Sequence, residues 1–242
     1  MTPPMRLVPA RSERPEILDR PDNSSADLRG AMRDIRLTNR WLGGNKTLLG
    51  ALDPFFGSGP DPLEILDVGA GGGDLPMEMV RHAQRKGRQL RVTAIDREPR
   101  VAALAHRAVR DCPGVDVVCA DALRLPFAER SFDVVTASLF LHHFSFDDLA
   151  ILLDRFRHLA RRAVVVNDLR RHRVPWVFIY VASRLTLRHP MYAHDAPLSV
   201  LRGFTVSELQ QAARRAGARE ARVRRRWPYR LLLTVPAAGE NG

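Results

Sequence analysis

Four glycines in five positions, Gly69, Gly71, Gly72 and Gly73, follow directly on the run Ile65-Leu66-Asp67-Val68. The apolar run reads as a strand, the glycines as a tight loop, and the stretch from Leu75 onward as a helix. Glycine at these positions removes the Cβ atoms that would keep a ligand off the backbone, and it allows φ values that other residues avoid. Such a loop commits the chain to an α/β unit with a ligand docked where the strand gives way to the helix.

Spacing separates two ligand classes. A dinucleotide fingerprint starting at Gly69 or Gly71 needs a small residue at position 74 or 76, where this chain has Asp74 and Pro76. The order Asp67-x-Gly69-x-Gly71-x-Gly73 instead resembles the S-adenosylmethionine loop of class I methyltransferases. That resemblance implies a Rossmann-like α/β fold: a seven-stranded, mostly parallel sheet with a C-terminal antiparallel hairpin, preceded by an N-terminal helical cap. It also implies S-adenosyl-L-methionine as cofactor.

The companions of the loop occur in order. A second strand over Leu90 to Ile95 ends in Asp96, and a carboxylate at that place can accept both hydroxyls of a ribose. A third strand over Asp116 to Ala120 ends in Asp121-Ala122, which resembles the position that meets the adenine amine and ring in this family. A fourth strand over Ser131 to Ser138 follows. The candidate cofactor-binding set is therefore Asp67, Gly69, Ala70, Gly71, Asp96, Arg97, Asp121, Ala122 and Ser138.

Three places offer acid–base groups. His142-His143 follows the fourth strand, where an open α/β sheet presents ligands, and His143 reads either as a base or as a residue that positions the next helix. Asp168, after the fifth strand Ala163 to Val166, reads as an acceptor-site group or as a cap paired with Arg171. His194 beside Asp195 reads as a base with its orienter, or as a turn whose acid caps a helix. The candidate catalytic residues are His143, Asp168, His194 and Asp195, and no metal site is expected.

Residues 1–22, with Pro3, Pro4, Pro9, Pro15 and Pro21, read as irregular and mobile. A helical cap is expected over 23–58, its first helix stopped by Gly43 and Gly44, and the methyltransferase domain over 59–242. The apolar run Val174 to Ser183, continuing through Leu185 and Leu187 to Arg188 and His189, reads either as an acceptor lid inserted over about 172–203 or as a packed core helix. Thr205 with Glu208 forms a capping box, and two final strands flank Trp227-Pro228.

The formal charge of +11 raises nucleic acid or an anionic membrane as partners. All but Lys46 and Lys86 of the 38 basic residues are arginine, a bias better explained by codon usage than by phosphate binding. Nucleic acid is therefore disfavoured, and peripheral membrane contact stays open. The N-terminus lacks an apolar signal core, and no stretch is long enough to span a bilayer, so a cytoplasmic location is expected. Cys112 and Cys119 read as reduced thiols. Oligomeric state is open.

Asn39-Arg40-Trp41-Leu42-Gly43-Gly44, Val166 to Arg171, and His194-Asp195 with Ser199 and Arg202 narrow the resemblance. They are similar to a bacterial group of methyltransferases associated with type III polyketide synthases. The acceptors this implies are hydrophobic resorcinol- or quinol-type phenolics, methylated on oxygen or carbon in secondary metabolism. An RNA methyltransferase and a non-catalytic cofactor-binding subunit are the alternatives.

Overall fold

The computed structural model describes residues 7–41, 44–57, 61–186 and 189–239. The expectations for Pro3, Pro4, Leu42, Gly43, Leu187 and Arg188 fall outside them. Two helices come first, α1 (Ser25–Trp41) and α2 (Gly44–Phe56). An alternating succession follows: β1 (Leu63–Val68), α3 (Asp74–Arg85), β2 (Leu90–Asp96), α4 (Pro99–Val109), β3 (Val115–Cys119), β4 (Phe132–Ser138), α5 (Phe146–Leu159) and β5 (Ala160–Leu169). Then come α6 (Arg173–Thr186), α7 (Pro190–Arg202), α8 (Val206–Arg215), β6 (Arg222–Arg226) and β7 (Arg230–Pro236).

The strands form one sheet in the order β3-β2-β1-β4-β5-β7-β6. β1 to β5 run parallel, and β7 is antiparallel to both β5 and β6. Because successive strand side chains point to opposite faces, the sheet divides its core in two. Val164, Val166, Leu231 and Leu233 pack with Leu152, Phe156 and Leu209 of α5 and α8. Val165, Val134 and Leu232 pack with Leu48, Leu52 and Met79 of α2 and α3 on the other face. The chain order reverses between β1 and β4, so a crevice opens at their carboxyl ends. The glycine loop lies there.

Residues 7–22 are irregular apart from a 3-10 turn at Ile17–Asp19, and they carry hydrogen bonds to the rest of the fold. The Arg11 guanidinium donates to the carbonyls of Arg202 (2.8 Å), Phe144 (2.8 Å) and His142 (3.2 Å), and Ser12 N donates to Leu201 O (3.1 Å). The fifth strand is also longer than the apolar run suggested. Antiparallel pairing with β7 carries it through Asn167, Asp168 and Leu169, so Asp168 sits inside the sheet.

Candidate active site

The loop begins with three left-handed glycines, Gly69, Gly71 and Gly73, at φ of 72°, 54° and 80°. At Gly69 a Cβ would lie 2.2 Å from the Phe140 ring, so packing as well as backbone conformation demands glycine there. The amides of Gly69 and Ala70 both donate to Ile95 O, which ties the loop to the end of β2. Asp96 Oδ2 accepts from Gly71 N and Oδ1 from Glu98 N, each at 3.0 Å, and burial pushes its carboxyl above the ordinary value. At the end of β1, Asp67 Oδ1 accepts from Thr136 Oγ1 at 2.7 Å, while its buried Oδ2 has no partner. Burial pushes this carboxyl up to about 7. Asp121 caps a single 3-10 turn through Leu123 N, with Ala122 buried beside it.

These residues line a cavity of about 1210 Å³, together with Arg97 and Ser138. All nine sequence-derived cofactor candidates thus meet on one surface. Helix α1 covers it: Met32 and Ile35 reach the lining, and Arg36 pairs with Asp74 of α3 at 2.9 Å.

The second half of the cavity is polar and comes from distant parts of the chain. His142 Nδ1 contacts Asp168 Oδ1 at 2.7 Å, and His143 Nδ1 contacts Asp19 Oδ2 at 2.9 Å. Glu16 is buried, accepts from Ser199 Oγ at 2.8 Å, and lies 3.6 Å from His142 Nε2. Burial works to raise the Asp168 carboxyl, but the His142 imidazole outweighs it and holds Asp168 below the ordinary carboxylate value. For His143 burial works downward, and the bond to Asp19 with the Glu16 charge outweighs it, so the imidazole is raised. Arg202 donates to the carbonyls of His142 (3.0 Å) and His143 (2.8 Å), fixing the backbone of the pair. Buried Arg230 also reaches the lining, where its Nη1 has no partner.

The four catalytic candidates separate. His143 and Asp195 line the cavity, whereas Asp168 lies behind His142, fully buried and turned to that imidazole. His194 stands apart from the other three. Its side chain is 56% exposed, lies outside the lining and touches Asp195 Oδ1 at 2.8 Å. Asp195 is a clamp: its two oxygens accept from Ile17 N and Leu18 N at 2.9 Å each, which sets the turn that carries Glu16 and Asp19 inward. Glu16, Asp19, Ser199 and Arg230 escaped the sequence reading of the site. Only the Pro-Glu-Ile-Leu-Asp stretch before the cap, with two acids around an apolar pair, hinted at an ordered segment.

Comparison with known proteins agrees with this geometry over the central sheet. Residues 65–163 match the methyltransferase domain family. The demethylmenaquinone methyltransferase of Thermotoga maritima is 30% identical over 106 residues, covering 44% of this chain. The chain spans only 43% of that relative's length. Among solved structures, an S-adenosylmethionine-dependent methyltransferase from Aquifex aeolicus aligns with a TM-score of 0.56 at 17% identity, over 78% of this chain and 89% of that one. Human N-acetylserotonin methyltransferase in complex with S-adenosylmethionine aligns with a TM-score of 0.62 at 18% identity, over 89% of this chain and 57% of that one. The fold is that of the class I methyltransferases.

Proposed function

We propose that this protein transfers a methyl group from S-adenosylmethionine to a small hydrophobic phenolic acceptor of resorcinol or quinol type. The observation that carries the reading is that the glycine-loop carboxylates and the Glu16–His142–His143 cluster line one cavity. The cofactor half fits the ligand. The unpaired Asp67 Oδ2 suits a cationic group, Asp96 the ribose hydroxyls, and Asp121 with Ala122 the adenine edge and face. When bound, the cofactor supplies an electrophilic methyl on a sulfonium.

The acceptor half has apolar walls from Phe140, Phe144, Ile179 and Met191, with imidazoles at its polar end. A free phenol ionises near pH 10, so holding its oxygen in the ionised form favours transfer at neutral pH, an effect worth about 10² to 10⁴ when one positioned group does it. Both imidazoles hold Nδ1 against carboxylates, which leaves Nε2 as the ring nitrogen those carboxylates do not engage. Orientation of the two reactants accounts for the rest, on the order of 7 to 11 kcal/mol. Helices α6 and α7 complete the acceptor side, and the outward apolar stripe of α6 suits acceptors that arrive from a membrane surface.

The test is incubation with methyl-labelled cofactor and a panel of alkylresorcinols, quinols and RNA. Label is expected in a phenolic. Label in RNA alone, or in nothing, removes the acceptor reading.

A further inference from the structure

We propose that Glu16, His142 and His143 form a binding site for one divalent cation of the zinc class. Among the described residues they are the one group of three whose ligand atoms lie within 4.8 Å of one another, and two of the three side chains are buried.

Distances set this cluster apart from an ordinary hydrogen-bond network. The outer contacts have hydrogen-bond lengths, 2.7 Å for His142 to Asp168 and 2.9 Å for His143 to Asp19. The inner one does not: His142 Nε2 and Glu16 Oε1 stand 3.6 Å apart. Two ligands of a tetrahedral ion with bonds of about 2.0–2.1 Å are separated by about 3.3–3.4 Å. The gap is thus close to the edge of a coordination tetrahedron and too wide for a direct proton bridge. His143 is the most exposed of the three at 21%, and its ligand atom lies within 4.8 Å of the other two.

The outer shell points the same way. Metal-binding histidines hold the second ring N–H against a carboxylate, which fixes the tautomer and makes the free nitrogen a better donor. Both imidazoles here are held in that manner, through two different carboxylates from well-separated parts of the chain. The rings lie side by side, with centroids 4.4 Å apart and a tilt of 32°.

Charge supplies the third argument. Glu16, Asp19 and Asp168 bring three carboxylates to two imidazoles. Arg202, the cation nearest Glu16, stays 3.8 Å from Oε1, with hydrogen bonds to the carbonyls of His142, His143 and Arg14. Glu16 therefore lacks a cationic hydrogen-bond partner while being 3% exposed, a costly state for a carboxylate. Two imidazoles and one carboxylate are a borderline donor set suited to zinc or cobalt. Three protein ligands leave a coordination position for an oxygen of the acceptor.

The site is tested by titrating metal-free protein with Co²⁺, followed by its visible absorption, and then displacing the cobalt with Zn²⁺. One equivalent per chain is expected. Glu16→Gln, which keeps an oxygen for Ser199, and His143→Gln should each weaken Co²⁺ at least tenfold, and Asp19→Asn by about 10- to 100-fold. His158→Gln, on the exposed end of α5, should leave it unchanged. Absence of a stoichiometric cobalt spectrum, or wild-type affinity in both Glu16→Gln and His143→Gln, overturns the site. Methyl transfer plays no part in this readout. Protein that binds cobalt but methylates no phenolic keeps the site and loses the transfer reading, and the opposite result does the reverse.

Discussion

Asp67 is 1% exposed, has one unpaired oxygen and is pushed up to about 7 by burial. A raised carboxyl favours the neutral form, so the stability it contributes is fully present below the ordinary carboxylate range and is lost as pH rises through about 7. Each pKa unit corresponds to about 1.4 kcal/mol, which makes the loss on the order of 4 kcal/mol. A cationic ligand reverses the preference, because it binds the ionised form. Affinity for S-adenosylmethionine is therefore expected to rise between pH 6 and 8, and Asp67→Asn should flatten that rise. Calorimetry at pH 6, 7 and 8 decides, and equal affinities in the wild type would exclude Asp67 from the cation contact. Arg230 poses the opposite case, a cation buried without a partner on Nη1, whose guanidinium burial pushes below its ordinary value. A buried charge left without a full set of partners carries a desolvation cost that an apolar side chain of similar size does not. Arg230→Met is thus expected to keep or raise the melting temperature while lowering transfer to a phenolic at least tenfold; a fall in melting temperature would show that the fold itself uses the charge. The cofactor half was legible because Asp67, Asp96 and Asp121 each end a strand of a recognisable unit. Glu16 and Asp19 were not, because the contacts that place them, Asp195 to Ile17 N and Leu18 N, join residues far apart in sequence.

Elements built from local pattern were read well, and those set by long-range contacts less so. The capping box at Thr205 and Glu208 forms as its spacing requires. By contrast β5 outruns its apolar core because β7 pairs with it as far as Leu169, a fact no local pattern contains. The N-terminal segment shows the same effect: five prolines made it look loose, yet Arg11 ties it to three carbonyls and lies 4.9 Å from the centre of the Phe204 ring. Hydrogen bonds to a charged donor contribute about 1.5–3 kcal/mol each, and their acceptors here are partly buried. Arg11→Ala is expected to cost about 2 kcal/mol or more in urea unfolding and to weaken binding at the acceptor half, since Arg11 anchors the irregular segment leading to Glu16. Unchanged stability would mean that the other contacts of the segment, among them Asp195 to Ile17 N and Leu18 N and Ser12 N to Leu201 O, hold it without Arg11.

At the scale of the molecule, two exposed surfaces stand out, an apolar stripe on α6 and a row of arginines on β6. On α6, Val174, Val177, Phe178, Val181 and Leu185 fall on one helical face and are exposed, Leu185 by 79%. The apolar stripe of this helix therefore faces outward, while Ile179 reaches the cavity. At its start His172 stacks on Tyr229, and Tyr229 on Trp227, which is 85% exposed at the turn beside the edge strand β6. That strand presents Arg222, Arg224, Arg225 and Arg226 to solvent. No helix among the described residues is long and apolar enough to cross a membrane. An outward apolar stripe with an aromatic and arginine border instead suits contact in the plane of an anionic bilayer surface, where each basic residue contributes about 1 kcal/mol. The protein is expected to sediment with vesicles containing phosphatidylserine and less with phosphatidylcholine alone. Binding should fall as salt shortens the Debye length from about 10 Å at 0.1 M to about 3 Å at 1 M. Arg225→Glu should act mainly at low salt, and Val177→Ser with Phe178→Ser at all salt concentrations, with little effect on stability because both side chains are already in solvent. If those variants sediment like the wild type, the stripe is not the contact.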